Sequence, residues 1–441
     1  MIEGILLVIF LIGFVVVSVL RFHVGVLFVV ATLPLYIVRF SVWSIPSTLL
    51  ELMILSLVGV WVFRKTKQSE WGSFFQSLVR TKSSRTLFLS IAFVLVFATI
   101  SVIVSPEKRA ALGVWRAYFI EPVFFFFILS DILKNRKMIG NVLFASILSA
   151  FSIACIALYQ RVTGWGMPPE WAREMRMTSI FPYPNAVGLF IAPILPFVFG
   201  VCAFVLASHY SKKIKSMIVG MSFLISASMI AAIVFSQTEA ALAALAVSGI
   251  VFLFLWSSAT RRLALSCIVL FFLTLTISQP LTHFFSQKIF LQDWSGKVRK
   301  GVWKETANML QDHWLLGAGL SGYKTVFKPY HIRTHIEIFQ YPHSFVLNFW
   351  SEIGIGGLLA ILFLIGIFFF FSVRALWRTR ASPHSDDTCF FYAASLAIFC
   401  SMSTLLIHGF VDVPYFKNDL AVFFWVLLAL SFSVYRQTKE I

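Results

Sequence analysis

The stretch SFVLNFWSEIGIGGLLAILFLIGIFFFF (344–371) is almost continuously apolar and carries a single charged residue, Glu352. A helix crosses the hydrocarbon core of a bilayer in roughly 20 residues, so this segment is long enough to span with some to spare. Similar windows recur along the whole chain, at roughly 3–20, 24–38, 46–63, 86–104, 112–132, 138–159, 185–207, 216–235, 240–258, 263–280, 390–407 and 419–435. Between them no stretch is left for a soluble domain of ordinary size. Composition agrees: the 441 residues are 59% hydrophobic and 12% charged, about half the charged fraction of a soluble domain. The predicted fold is all-α, a polytopic transmembrane helical bundle of 12–13 spans with one long external loop containing short amphipathic helices. The second window is short enough to be re-entrant or to merge with a neighbour.

The first window, Gly4–Leu20, has neither a basic flank before it nor a small-residue cleavage site after it, and reads as a permanent span. The five cysteines (Cys155, Cys202, Cys267, Cys389, Cys400) lie in or beside apolar windows. They read as buried apolar thiols rather than a disulfide framework. The net charge of +17 belongs to the membrane edges rather than to a nucleic-acid partner, because Lys and Arg gather in short cytoplasmic loops of membrane proteins. Loops on one side of the alternating spans, such as 64–85, 133–137, 208–215 and 372–389, hold 20 of the 36 Lys and Arg. The other side holds 16, of which 8 lie in the long loop 281–343. Long loops count little for orientation, so the deciding comparison is 20 against 8. It predicts an external N-terminus, a cytoplasmic C-terminus, and external loops at 160–184, 281–343 and 408–418.

Three external segments are too polar and too specialised to be mere connectors. In WAREMRMTSIFPYPNAVGLF (171–190), Arg173 and Arg176 precede a Pro-x-Pro-Asn turn. Pro184 keeps its predecessor extended, and Asn185 is expected to cap the span that follows. Guanidinium groups beside a helix N-terminus suit phosphate oxygens; the alternative is two arginines snorkelling to headgroups. In SGKVRKGVWKETANMLQDHWLL (295–316), Val298, Val302, Ala307, Met309, Leu310 and Trp314 recur near helical spacing, opposite Lys297, Lys300 and Lys304. That pattern predicts an amphipathic helix on anionic headgroups. The glycines of LLGAGLSGYKTVF (315–327) then permit a tight backbone passage. His331, His335 and His343 have the chemistry of metal ligands, but no companion such as H-E-x-x-H accompanies them, and no metal is expected. In YPHSFVLNFWSEIGIGGLLAIL (341–362), His343 stands at the outer mouth of the span. Glu352 lies nine residues deeper, about 13 Å along a helix. A carboxylate at that depth costs roughly 2.5–3.5 kcal/mol on insertion scales and needs a partner or a wet cavity. Its two readings, a bond to another span or a part in catalysis, stand side by side. Histidine ionises near neutrality, which suits proton transfer at a cavity mouth.

Taken together these segments resemble the O-antigen ligase and O-antigen polymerase superfamily. RMTSIFPYPNAVGLF is similar to the family's Arg, Phe, Pro-Asn pattern opening a span, with Arg176, Phe181, Pro184 and Asn185 in place. WKETANMLQDHWLLGAGLSGYKTVF is similar to its Trp-led helix followed by a Leu-Leu-Gly-x-Gly-Leu turn, through Trp303, Gly317 and Gly319. HSFVLNFWSEIGIGG is similar to its His-x8-Glu-x-Gly signature, through His343, Glu352, Gly354 and Gly357. The likeness runs over residues 170–435. It divides the chain into N-terminal transmembrane helices (1–160), alike only in being helical spans, and a ligase-like membrane core (161–441) that includes loop 281–343. The chain departs from the family at SQTEAALA (236–243), where Glu239 stands at the place of an arginine that helps hold donor phosphates. Arg116, at another outer helix end, is the residue expected to supply the missing charge.

The resemblance implies transfer of a glycan from a polyprenyl-diphosphate-linked donor to an acceptor hydroxyl, with no nucleotide sugar, cofactor or metal. The expected catalytic residues are His343 and Arg176. Arg176, Arg173 and Arg116 would bind the donor diphosphate, and Glu352, Asn185 and Glu239 would support them. The implied partners are the lipid-linked donor, a glycan, lipid or protein acceptor, and the bilayer of a bacterial inner membrane, with no nucleic acid. Ligase and polymerase differ in acceptor, for which the sequence holds no signal. A transporter of the same lipid-linked glycan would instead show internal repeats and broken helices around a midplane site. No repeat is visible, and the polar residues gather at the outer rim.

Overall fold

The computed structural model describes residues 2–42, 45–333, 336–380 and 385–439. The molecule is a helical bundle whose only described sheet is a two-stranded hairpin. Among the described residues, ten helices are long and apolar enough to cross a membrane. Ile2–Leu20 and Leu49–Lys67 match two more expected spans, and the short second window is a ten-residue helix, Phe22–Ala31, running into a 3-10 turn at Leu33–Ile37. The third window begins later than its hydropathy suggests. Ile45–Thr48 pairs antiparallel with Arg39–Val42, and the helix starts only at Leu49. The Thr48 hydroxyl accepts from the Glu51 N–H and the Glu51 carboxylate accepts from the Thr48 N–H, a reciprocal cap that fixes this start.

Asn418–Gln437 forms the axis of the bundle, with its whole apolar window buried. Glu121–Ile132, Phe345–Arg380 and Asp386–His408 pack around it. Ser258–Ile277, at the other extreme, is almost wholly surface. One apolar cluster runs from Phe14 to Tyr435, so segment 1–160 packs into the same core as segment 161–441. Close packing rather than water exclusion holds such helices together inside a bilayer. Of the cysteines only Cys400 is buried; Cys155 and Cys267 lie on outward faces, and Cys202 and Cys389 are half-buried. The expectation of buried thiols therefore fails for those four. Lipid, being as apolar as the core, leaves a thiol free to face either way.

The polar contacts sort by end. At one end Arg136 pairs with Asp387 at 2.5 Å, the His209 N–H donates to Asp386, and Gln437 donates to the Leu133 carbonyl. At the other end meet the strands Arg39–Val42 and Ile45–Thr48 and the segments 105–120, 164–184, 236–239, 279–333, 336–343 and 409–417. The 20-cation loops thus share one end and the three specialised segments the other.

Loop 279–343 builds a small core of its own. Trp294–Asp312 buries Val302, Glu305, Thr306, Met309 and Leu310 against Ala318, Tyr323 and Phe327. This corrects the expectation of a helix laid on headgroups: its apolar stripe faces the loop, while Ala307 and Trp314 are exposed. The long span Phe345–Arg380 is broken at Ile353 and Gly354, the latter at φ 71°, ψ 175°. Into the break fits the glycine passage. Ala318 N–H donates to the Ser351 carbonyl at 2.6 Å, and Ile355 N–H donates to the Leu315 carbonyl at 3.2 Å. Backbone groups freed inside a membrane must be satisfied by protein, and the loop 315–322 does this. A side chain at Gly354 or Gly317 would collide with the Leu315 or the Trp350 and Ser351 carbonyls.

Candidate active site

The loop-rich end collects six of the seven described non-glycine residues with positive φ: Met175, Ser179, Gln237, Leu291, Ser321 and His343. Such backbone persists only where the surroundings hold it, and it concentrates at functional sites. His343 has φ 50° and sits just before the helix Phe345–Arg380, whose first N–H donates to the Gly409 carbonyl at 2.7 Å. That bond draws the loop 409–417 over the histidine. His343 Nδ1 lies 3.8 Å from Asp412 Oδ1, and the buried His408 places Nε2 3.9 Å from Asp412 Oδ2. These are ion-pair separations, longer than direct hydrogen bonds. Burial alone would raise the Asp412 carboxyl, but His343, His408 and the Val413 N–H together pull it down to about 2. Asp412 is therefore ionised throughout the physiological range, and its charge faces His343. The ring of Phe339 closes the other side at 4.8 Å, edge to face.

The Pro-x-Pro-Asn turn reaches the same place. Lys417 is buried against the Phe181 ring, 3.9 Å from its centre, and Tyr36 flanks it at 5.1 Å. Tyr341 packs on Phe416 at 5.6 Å. Arg176 stands at the edge of this turn. Its Nε and Nη2 donate to the Ser236 carbonyl at 3.3 Å, and Nη2 donates to Asn185 Oδ1 at 3.2 Å. Its guanidinium carbon lies 5.1 Å from the Trp171 ring. It has no carboxylate partner among the described residues, so a full positive charge is held in place by neutral groups. Asn185 departs from expectation here. It is the first helical residue rather than the cap, and its amide serves Arg176 instead of the helix N–H groups.

The other expected cations behave differently. Arg173 is exposed. Arg116 opens a π-turn, 116–120, and is held between two carboxylates, Glu51 and Glu121, the latter at 3.1 Å from Nε. It also donates to the Pro46 carbonyl, while Asn418 donates to the far oxygen of Glu51 at 2.9 Å. Two acidic neighbours thus already pair with Arg116, the residue expected to help hold the donor diphosphate, and the group ties the hairpin to the axial helix. Glu239 pairs with Lys288 at 2.6 Å, and Lys288 also meets Asp293 at 2.9 Å. The position that departs from the family is therefore an ion-pair cluster joining loop 279–293 to the bundle.

Glu352 is fully buried beside the helix break, where its Oε2 accepts the Ser321 N–H at 2.7 Å. Ser101 donates to the Glu352 backbone carbonyl and accepts the Leu320 N–H at 2.9 Å. The carboxylate bonds the loop rather than another span, and so pins the glycine passage into the break. His331 is held by Glu305 at 3.0 Å and the Ile336 carbonyl at 2.8 Å, which occupies both ring nitrogens. His335 lies outside the described residues. Trp303 donates to the Pro342 carbonyl at 2.9 Å, which fixes the chain next to His343.

Sequence reading passed over Asp412, His408 and Lys417. The first two stand four apart in HGFVD (408–412), at the spacing that aligns them over one turn, a signal weak enough to escape notice alone.

A family model described as O-antigen ligase matches residues 224–362. The match takes in the Trp303 helix, the glycine turn and the His343–Glu352 signature, and leaves out the Arg176 segment and the loop bearing Asp412. No curated protein matches the chain significantly. The chain is a multi-span membrane protein whose likeness to the O-antigen ligase and polymerase superfamily is borne out over residues 224–362, and the function which that likeness indicates is of O-antigen-ligase type.

Proposed function

We propose that this protein transfers a glycan from a polyprenyl-diphosphate carrier to an acceptor hydroxyl at the external face of a bacterial inner membrane, without a metal or cofactor. The observation that supports this reading is the presence, at one end of the bundle, of both an unneutralised Arg176 and the carboxylate-backed His343. With Nδ1 facing Asp412, the Nε2 of His343 is left for the acceptor. The acceptor oxygen bonds to the anomeric carbon as the bond from that carbon to the diphosphate oxygen breaks. His343 takes the hydroxyl proton, a service typically worth about 10²–10⁴-fold. Arg176 holds the charge that grows on the departing diphosphate. Attack opposite the leaving group inverts the anomeric centre. The expected experiment compares cells with and without the protein. Loss of a ligase leaves long chains on the carrier lipid, whereas loss of a polymerase leaves single repeat units there. A normal surface glycan and a normal carrier pool in cells lacking the protein would end the proposal.

The break at Ile353 and Gly354 is the feature a transporter reading would use. Its freed backbone groups are taken by loop 315–322 rather than left for cargo, which favours the transferase.

Orientation is part of the proposal: the cation-rich end is cytoplasmic, the N-terminus external and the C-terminus cytoplasmic. In a background with the five native cysteines replaced, a cysteine at the exposed Lys324 should react with an impermeant reagent from outside. One at the exposed Lys82 should react only after permeabilisation. The opposite pattern would place the site on the wrong face for a carrier-linked donor.

A further inference from the structure

At the cation-rich end, opposite the candidate active site, a cavity of about 450 Å³ opens between the helices Phe22–Ala31, Leu49–Lys67 and Arg136–Thr163. Its wall carries four cations, Arg64, Lys65, Lys134 and Lys137, against two carboxylates, Glu70 and Asp131. The carboxylates are already committed. Lys65, buried, meets Glu70 at 2.8 Å and Asp131 at 2.9 Å. Asp131 also accepts the Trp61 indole N–H at 3.0 Å and lies 3.4 Å from Lys134. Arg64 and Lys137 thus have no acidic partner among the described residues. Arg64 leans over the Phe22 ring at 5.4 Å, which holds its guanidinium at the cavity wall.

We propose that this cavity binds the headgroup of an anionic phospholipid, a diacylglycerol phosphodiester, from the leaflet at that end of the bundle. Three features select that ligand. Arg64 lies in the last turn of its helix and Lys137 in the first turn of its own, so both stand at headgroup depth, where basic pockets between spans take up lipid phosphates. Beside them Phe22, Trp61 and Met138 add apolar lining to the cavity, which suits the start of acyl chains and gives a small soluble anion nothing. The volume falls within the usual 300–1,000 Å³ range of ligand pockets. The fixed pair of Lys65 and Asp131 shapes the site, and the two unpaired cations supply its charge. The site joins the short helix Phe22–Ala31 to its neighbours, so an occupying lipid would hold those ends together.

The test uses the purified full-length protein in phosphatidylcholine nanodiscs, with titration of phosphatidylglycerol read by the thermal unfolding midpoint and by native mass spectrometry. Each of Arg64→Gln and Lys137→Gln should weaken phosphatidylglycerol binding about fivefold, and the double variant about 25-fold, from about 1 kcal/mol per cation near an anionic headgroup. Lys82→Gln, a cation at the same end but outside the cavity, should bind as the unaltered protein does. If Arg64→Gln does not fold, Lys137→Gln alone decides, since that side chain is exposed. Equal loss in Lys82→Gln would reduce the effect to general surface charge and overturn the site. So would phosphatidylcholine binding as tightly as phosphatidylglycerol. Glycerol 3-phosphate stabilising the protein as well as the lipid does would make this a soluble-anion site and overturn the lipid assignment.

Discussion

Replacing His343 with alanine or asparagine is expected to lower glycan transfer by about 10²–10⁴-fold, the usual contribution of a positioned general base. The two substitutions separate chemistry from backbone. His343 sits at φ 50°, where an alanine is strained but an asparagine is tolerated. If proton acceptance is the role, His343→Asn fails as badly as His343→Ala while its unfolding midpoint and its binding of polyprenyl-diphosphate donor stay near normal. If the histidine only holds loop to helix, asparagine should restore much of the activity, and donor binding should fall together with stability in the alanine variant. Asp412→Asn provides the third arm. It removes the charge facing His343 Nδ1 without emptying the position, so kcat should fall by less than in either His343 variant and donor affinity should persist. Chelators should leave the purified enzyme unaffected. Turnover that depends on added Zn²⁺ or Mn²⁺ would replace proton acceptance with metal chemistry.

Which parts of this arrangement were legible in the sequence follows from the range of the interactions involved. The spans show in hydropathy because every residue of a spanning helix answers to one local requirement, an apolar surround. The two ends of the bundle show in charge for the same reason. His343, Arg176 and Asn185 carry a local signature at the mouths of two spans, and the structure puts all three at one end. Partnership is another matter. Arg116 looked free because Glu51 lies 65 residues away. The bond between Ser321 and Glu352 spans 31 residues and depends on a helix break that an unbroken apolar run hides. Asp412 sits in a short loop with no motif around it, and it matters only because the Phe345 N–H is tied to Gly409. The Trp294–Asp312 stripe was visible as a periodicity, but the pattern could not say whether lipid or the loop's own Tyr323 and Phe327 would cover it.

Arg176→Lys should lose most of its transfer activity although the charge is kept. The guanidinium does two things at once. Through Nε and Nη2 it is fastened to the Ser236 carbonyl and Asn185, each contact at 3.2–3.3 Å, with Trp171 stacked beside it. Its remaining N–H groups and its charge are left for an anion, since no described carboxylate neutralises it. A lysine ammonium is a point charge on a flexible stem. If it satisfies Ser236 and Asn185 it points away from the donor, and if it turns to the donor it leaves both acceptors unpaired. Hydrogen bonds to charged groups contribute about 1.5–3 kcal/mol, so losing one to the leaving diphosphate predicts a fall of about 10- to 160-fold. The loss should be felt in kcat at least as strongly as in donor affinity, because the charge on the diphosphate grows as the sugar departs. Arg173→Lys gives the comparison: that side chain is exposed, and its exchange should cost little. Near-normal turnover of Arg176→Lys, at normal protein levels, would mean that Arg176 only anchors the Pro-x-Pro-Asn turn at the membrane edge, and that the cation facing the donor is another residue.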